Sequence, residues 1–341
     1  MTSSERRKAP LLPRLALLGL AGASLISLLG AEIAGFSILT HFQLYFCAAW
    51  AVFLLALRMA PKLRGAFWRP NRVVTLGAMF FLGHVLFVAS MWLPPSHPDL
   101  EKPDEVDIVW FNMMFSNQAL RTLEARLQAD PPDLLCLGEV SPKTQVQLEG
   151  YPFQLRSPKH DILIASKYPL EHGNLVPVPG SGREQVVARV AVGRRRFRII
   201  AVHFRQPVYP SHFTEVKQAK VLALEETEAI LVGDLNTTAW AAQFRQLCRD
   251  TGMQHGRQGR GVMDTWAFGK GRWGPLPIDH MLYKGAIDLT EFEAMEWTES
   301  DHKPIRGTFL IGGKRGRKIS GDDLGVEAVG HGDLEDAGEG T

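Results

Sequence analysis

A series of short polar motifs closes apolar runs in this chain: Phe111-Asn112, Gly138-Glu139, His203, Gly233-Asp234-Leu235-Asn236, Ile278-Asp279-His280 and Ser300-Asp301-His302. Buried strands ordinarily end in turn formers; these ends carry carboxylates, amides and imidazoles. Acidic groups gathered in one place repel one another unless a cation sits among them. The set therefore predicts a divalent-metal site built from hard oxygen ligands, with histidines beside it that can move protons.

Each motif has a simpler reading when taken alone. Asp and Asn favour turns, so Gly-Asp-Leu-Asn could be a strand-end turn. Asp301-His302 could cap a helix, and His203 could be a satisfied core histidine. Glu139 resists this treatment, because it follows Leu134-Leu135-Cys136-Leu137 and a carboxylate at the end of a buried strand needs a partner. The order of the motifs, each at a strand end, argues for one site.

The elements that must position these residues follow from pattern. Asp107 to Phe115 has the length of a strand. Leu120, Leu123 and Leu127 are spaced for one face of a helix over Gln118 to Ala129, capped by Ser116 or Asn117 and stopped by Asp130-Pro131-Pro132-Asp133. Leu134 to Val140 is a fully buried strand, and strand, helix, strand is a crossover unit. Ile162 to Ala165 is another strand. Gln185 to Val192 and Arg196 to Phe204 flank Gly193-Arg194-Arg195 as a hairpin. Thr214 to Ile230 reads as a helix, Ile230 to Val232 as a strand running into Gly-Asp-Leu-Asn, and Met281 to Tyr283 and Ile305 to Leu310 as later strands. Many short strands with a few helices predict a sheet-rich α/β sandwich.

The chain has 341 residues and a formal net charge of +2. That near-neutral balance supplies no electrostatic argument for a dedicated nucleic-acid binder. Cys47, Cys136 and Cys248 have no zinc spacing and form no disulfide framework; Cys47 and Cys136 read as core thiols.

The N-terminal third differs in composition. Leu15 to Gly30, Phe42 to Leu57 and Val73 to Leu93 are apolar runs, and a membrane helix needs roughly 20 such residues. Residues 1–93 are thus expected to be a membrane anchor with helices near 15–34, 40–59 and 73–93. A cleaved leader ending at Ala21-Gly22-Ala23 is the weaker reading, since two further apolar runs follow. Arg6, Arg7, Lys8 and Arg14 precede the first run. Arg58, Lys62, Arg64, Arg69 and Arg72 lie between the second and third, and no Lys or Arg lies in Glu32 to His41. Positive loops stay in the cytoplasm, so everything after Leu93 is expected outside the membrane. Residues 94–105 read as a Pro-rich linker, 106–311 as a globular domain and 312–341 as a disordered tail.

The order Asn, Glu, His, Gly-Asp-x-Asn, Asp-His, Ser-Asp-His resembles the endonuclease/exonuclease/phosphatase superfamily, the DNase I-like enzymes, over about residues 106–311. The resemblance implies a four-layer αββα sandwich, here preceded by three transmembrane helices, with the site at one end of the packed sheets. It matches Asn112 to the family's Asn and Glu139 to its metal-binding Glu. His203, Asp234, Asn236, Asp279, Asp301 and His302 take the remaining places. Asp264-Thr265-Trp266 through Gly274-Pro275 looks like bacterial members. Gly138 stands where many members carry Gln, which changes the hydrogen bonds beside Glu139. Three spans ahead of the domain resemble the VanJ-type teicoplanin-resistance membrane proteins.

On this resemblance Glu139, with Asn112 and Asp301, holds Mg²⁺ or Mn²⁺. Asp234 orients or deprotonates the attacking water, and Asn236 hydrogen-bonds the phosphoryl oxygens. His302, oriented by Asp279, is a base or an electrostatic partner, and His203 donates a proton to the leaving group. Either Asp234 or His302 can take the water proton. Arg205 shares a face with His203 and reads as a surface residue or a phosphate ligand. Three functions compete: a membrane-anchored hydrolase of phosphate esters or anhydrides acting on a lipid-linked substrate, an extracytoplasmic nuclease, and an inactive tethered binding module. The implied partners are the lipid bilayer and a phosphate-containing substrate, lipid-linked or nucleic acid.

Overall fold

A computed structural model describes residues 11–30, 36–64, 67, 69–141, 148–157, 162–269 and 272–314. The expected tail lies outside them beyond Lys314. Three helices are long and apolar enough to cross a membrane. They are α1 (Leu11–Leu29), α2 (Gln43–Met59), which a 3-10 turn at Ser37–Phe42 precedes, and α4 (Pro70–Ala89); the short α3 (Pro61–Arg64) links the last two. Their packing is inside out. Leu15, Leu18, Val52, Leu55, Met79 and Leu82 face outward, whereas Ser24, Ser27, Gln43 and His84 are buried. Trp50 Nε1 donates to Ser24 Oγ (2.7 Å), Gln43 Nε2 donates to Ser27 Oγ (3.0 Å), and His84 Nδ1 meets Gln43 Oε1. Inward polar groups and outward leucines suit a surrounding of lipid, where helices associate through small residues and hydrogen bonds.

Two six-stranded sheets follow. The strands of the first are β1 (Leu100–Asn112), β2 (Leu134–Gly138), β3 (Phe153–Arg156), β4 (Leu163–Ser166), β13 (Ile287–Ala294) and β14 (Ile305–Lys314), in the order β13-β14-β1-β2-β4-β3. The second holds β5 (Leu170–Pro177), β6 (Glu184–Val192), β7 (Arg195–His203), β8 (Ala229–Asp234), β9 (Gln254–His255) and β12 (Asp279–Lys284), in the order β5-β6-β7-β8-β12-β9. A hairpin of β10 (Trp266–Phe268) and β11 (Trp273–Leu276) stands apart.

Alternation along the strands makes the layers. In β1, Val106, Ile108 and Trp110 enter the core between the sheets, while Val109 and Phe111 point the other way onto α5 (Asn117–Leu127). Leu120, Leu123 and Leu127 of α5 cover that outer face, and Ser116 caps the helix by accepting from Ala119 N. On the far side α6 (Ser211–Leu224) and α7 (Ala242–Thr251) cover the second sheet through Ala219, Leu222, Phe244 and Leu247. The result is the expected αββα sandwich. Each such apolar side chain contributes about 1.5–3 kcal/mol on full burial.

The structure differs from the sequence reading in three places. The stretch expected as a linker is docked: Ser96 exchanges hydrogen bonds with Gln254, His97 pairs with Asp288 at 3.0 Å, and β1 begins at Leu100. Those first strand residues carry charge because they extend past the core, with a bulge between Glu101 and Asp104. α6 ends at Leu224 and not at Ile230. Glu225 and Glu226 instead form ion pairs with Arg198 and Arg189, which frees Ala229 to start β8. The candidate first span stops at Leu29, where Gly30 takes a positive φ of 66°.

Candidate active site

Register does most of the assembly. β1 and β2 run parallel and pair Asn112 with Gly138, so Asn112 and Glu139 leave one end of the first sheet together. β7 and β8 run parallel and pair His203 with Asp234; β12 runs antiparallel and sets Asp279 opposite Asp234. Strand ends of both sheets thus meet at the same edge of the sandwich. His302 arrives from the loop before β14, where Ser300 accepts from the His302 N–H (3.0 Å) and donates to the Asn112 carbonyl (2.8 Å).

Side chains close the gap between the sheets. Asn112 Nδ2 donates to Glu139 Oε1 and to Asp234 Oδ2, both at 3.2 Å, and lies 3.4 Å from His302 Nε2. Asp234 Oδ1 accepts from the Asn236 N–H (2.8 Å), and Asn236 Nδ2 reaches the Phe204 carbonyl (2.9 Å). His302 Nδ1 pairs with Asp279 Oδ2 at 2.8 Å, leaving Nε2 at 3.7 Å from Asp234. His203 Nε2 lies 3.5 Å from Glu139 and 3.7 Å from Asp234. All eight residues expected from the sequence come together. Asp301 is the loosest, 4.0 Å from His302 Nε2, and Trp266 Nε1 donates to it at 3.0 Å.

Two of these residues hold left-handed backbone: Glu139 at φ 51° and Asn236 at φ 47°. Non-glycine residues there cost of order 1–3 kcal/mol and concentrate at functional sites.

The electrostatics divide the site. Burial raises the Asp234 carboxyl well above the usual range, with Asp279 and Glu139 adding to the rise and the His302 charge opposing it. Burial alone would discharge His302, but Asp279, Asp234 and Asp301 outweigh it and hold the imidazole up at about 10. His203 is held well below its ordinary value by burial, then by Arg183 and His302. Glu139 is raised by burial and by Asp301, against its Asn112 bond. Glu139 and Asp301 are partly exposed, at 21% and 32% of their side-chain surface, and form the open lip; Asp234 and His302 lie deeper at 2% and 6%.

Could the donor set hold a cation? Asp234, Asp279 and His302 lie close enough together to share one. However, both Asp279 oxygens are engaged, Oδ2 by His302 and Oδ1 by Trp110 Nε1 at 2.9 Å. Within that trio His302 and Asp279 share a hydrogen bond, and Asp234 stands 3.7 Å from His302 Nε2. Glu139 and Asp301 are the accessible oxygen donors, with the Asn112 amide beside them. Their chemistry fits a hard divalent cation.

Several supporting residues escaped sequence reading. Trp110 crosses from the first sheet to Asp279. Thr265 Oγ1 accepts from the Ile278 and Asp279 N–H groups (3.1 and 3.0 Å). Arg183 donates to the His203 carbonyl (2.8 Å), and its charge helps hold that histidine neutral. Arg205 turns away, donating to the Ser181 carbonyl (3.1 Å) and stacking over Tyr209. Two left a signal: Trp110 stands two residues before Asn112, on the same strand face, and Thr265 lies in the Asp264-Thr265-Trp266 segment that resembles bacterial members.

Comparison with solved structures gives likenesses to the sandwich. One is a D. rerio TDP2 complexed with a single-strand DNA product, at 18% identity and TM-score 0.51, covering 60% of this chain and 99% of that one. Another is an endonuclease/exonuclease/phosphatase family protein from Bacteroides thetaiotaomicron, at 11% identity and TM-score 0.52, covering 62% and 97%. At these identities the likeness is one of fold. Comparison with curated protein sequences returns no match. Residues 109–302, more than half of the chain and the span from the site end of β1 to His302, match the Endonuclease/Exonuclease/phosphatase family, and the chain belongs to it.

Proposed function

We propose that this protein is a membrane-anchored, divalent-metal-dependent hydrolase of phosphate esters or anhydrides, acting on a lipid-linked substrate outside the cytoplasmic membrane. One observation carries the reading: the Asp279–His302 pair presents Nε2 to Asp234 across Asn112, while Glu139 and Asp301 form an accessible acidic lip. Glu139, with Asn112 and Asp301, would hold Mg²⁺ or Mn²⁺, which supplies charge neutralisation for the phosphoryl group.

The chain's own groups do the rest. His302 stays an imidazolium beside Asp279, so it serves as an electrostatic partner to a phosphoryl oxygen and Asp234 becomes the proton acceptor. Asp234, made more basic by burial, takes a proton from water as the water oxygen attacks phosphorus and the ester P–O bond breaks. Asn236 is held beside Asp234 to hydrogen-bond a phosphoryl oxygen. His203, kept neutral, donates its ring N–H proton to the departing oxygen as the P–O bond breaks, and the proton held by Asp234 returns the site to its starting state through solvent.

A membrane substrate is supported by the β10–β11 hairpin. Trp273 and Phe268 are 74% and 70% exposed there, and Tyr45, in the first turn of α2, donates to the Pro275 carbonyl at 3.0 Å. Aromatic side chains beside the end of a span suit the membrane interface. The layout of three candidate spans ahead of the domain also supports kinship with the VanJ-type proteins.

The test is an assay of the full chain, with Mg²⁺ or Mn²⁺, against a phosphodiester lipid, a polyprenyl pyrophosphate and DNA. Lipid turnover lost on chelation and in Glu139→Gln is the expected outcome. Turnover of DNA alone would make the protein a nuclease, and full activity in excess chelator would remove the metal.

A further inference from the structure

The loop after Asn236 is held from two directions. From inside the domain, His280 Nε2 donates to the Thr237 carbonyl (2.6 Å), and His212 Nε2 lies 3.3 Å from Thr237 Oγ1. From the anchor comes His41, in the 3-10 turn at the start of the second candidate span. The Thr238 backbone N–H donates to His41 Nδ1 (3.1 Å), and Trp240 Nε1 donates to the His41 carbonyl (2.8 Å). His41, Thr237, Thr238 and Trp240 are all at least 97% buried. The Thr238 N–H therefore has no water to turn to if His41 is lost. Two residues upstream, Asn236 sits in left-handed backbone and donates its N–H to Asp234. Strained backbone persists only where its surroundings over-determine it.

We propose that His41 is a positioning residue of the hydrolytic site: the anchor's imidazole Nδ1, fixing Thr238, holds the Asp234–Asn236 segment in its working conformation. The anchor is then part of the active centre as well as a tether. This rests on the assignment of Asp234 and Asn236 to hydrolysis. The Nδ1 acceptor role puts the His41 proton on Nε2, an atom with no hydrogen-bond partner among the described residues. Only the Nδ1 side is used, which makes the idea sharply testable. Asn places its side-chain oxygen where Nδ1 stands, whereas Gln places it near Nε2 and Leu offers no acceptor.

The experiment compares His41→Asn, His41→Gln and His41→Leu in the full chain, with two readouts. The first is turnover per folded molecule. A misplacement of about 1 Å can cost on the order of 10²-fold, so His41→Leu and His41→Gln should lose about 10- to 100-fold in kcat with KM within about twofold, and His41→Asn should stay near wild type. The second needs no substrate: amide hydrogen exchange over 236–241. It should speed up by about tenfold or more in His41→Leu and His41→Gln and not in His41→Asn. Equal kcat in all variants, with only a lower melting temperature, would make His41 a docking contact and overturn the proposal. Unchanged exchange in His41→Leu would overturn it too. A wild type that hydrolyses none of the substrates, with exchange behaving as expected, would sink the hydrolase reading and leave the positioning intact.

Discussion

Gly138 stands where many family members carry Gln, and Trp110 supplies the physical reason. A Cβ at Gly138 would meet the indole at 2.8 Å, closer than real contacts allow. The space a side chain would fill belongs to the ring whose N–H holds Asp279. Gly138→Ala should therefore push Trp110 off Asp279 and lower the melting temperature, at a cost of about 1–3 kcal/mol. In a Trp110→Phe background the same substitution should cost less stability, because the smaller ring yields room, but activity should not return, since no N–H reaches Asp279. A Gly138→Ala protein that melts and turns over like wild type would show the contact to be slack. The two histidines give a second measurement. His203→Ala and His302→Ala each remove a donor aimed at developing charge and should each lower turnover by roughly 10²–10³-fold, and the double variant by less than the product, because groups serving one transition state are not additive. If His203→Ala mainly lowers the melting temperature while turnover per folded molecule survives, His203 is a core histidine.

Among the elements, strand ends were legible and their supports were not. α5, β2, β6 and β7 were expected within a few residues, and β1 at its site end only, because alternation, helical spacing and capping are local signals. α7 and the β10–β11 hairpin were missed: α7 is short, and the hairpin is exposed and has no periodicity to read. Thr265 and Trp266 lie on or beside the hairpin, Arg183 stands in the turn before β6, and their partners are distant in sequence. One buried group has a consequence for pH. His212, packed against Phe204 with Nδ1 on the Arg205 carbonyl, is lowered by burial to about 4, against the effect of that carbonyl. The folded state thus prefers neutral His212, while the unfolded chain binds a proton near its ordinary value of about 6.5. Its contribution to stability is present above about pH 6.5 and is lost as the pH falls towards 4, by on the order of 3 kcal/mol. Melting temperature should drop over that window, and His212→Asn should flatten the slope. An unchanged slope would place the acid sensitivity elsewhere.

For the whole molecule, the three candidate spans and the domain share one packing arrangement. Met91, beyond the end of α4, joins the core that α6 and α7 form with the second sheet. Arg245 lies over Phe87 at 4.6 Å, and Gly261 abuts Trp92. Gly30 nears Ala242, and His41 and Tyr45 reach Thr238 and Pro275. All these contacts come from one end of the three-helix bundle. Arg58, Lys62, Arg64, Arg69 and Arg72 lie at the other, and each of these is exposed. Charged side chains at that end resist transfer across a bilayer, so the basic end should face the cytoplasm and the domain the opposite side. A reporter active only outside the cytoplasm should then be active when fused after Leu310 and silent when fused after Arg64. A cytoplasmic reporter should give the reverse. The opposite pattern in both would put the acidic lip of Glu139 and Asp301 in the cytoplasm and end the argument for a substrate on the outer face. A bundle that spans the bilayer also brings the exposed Trp273 and Phe268 to its surface, so replacing both with Ser should weaken turnover of a vesicle-borne phosphate lipid more than that of a soluble phosphate ester.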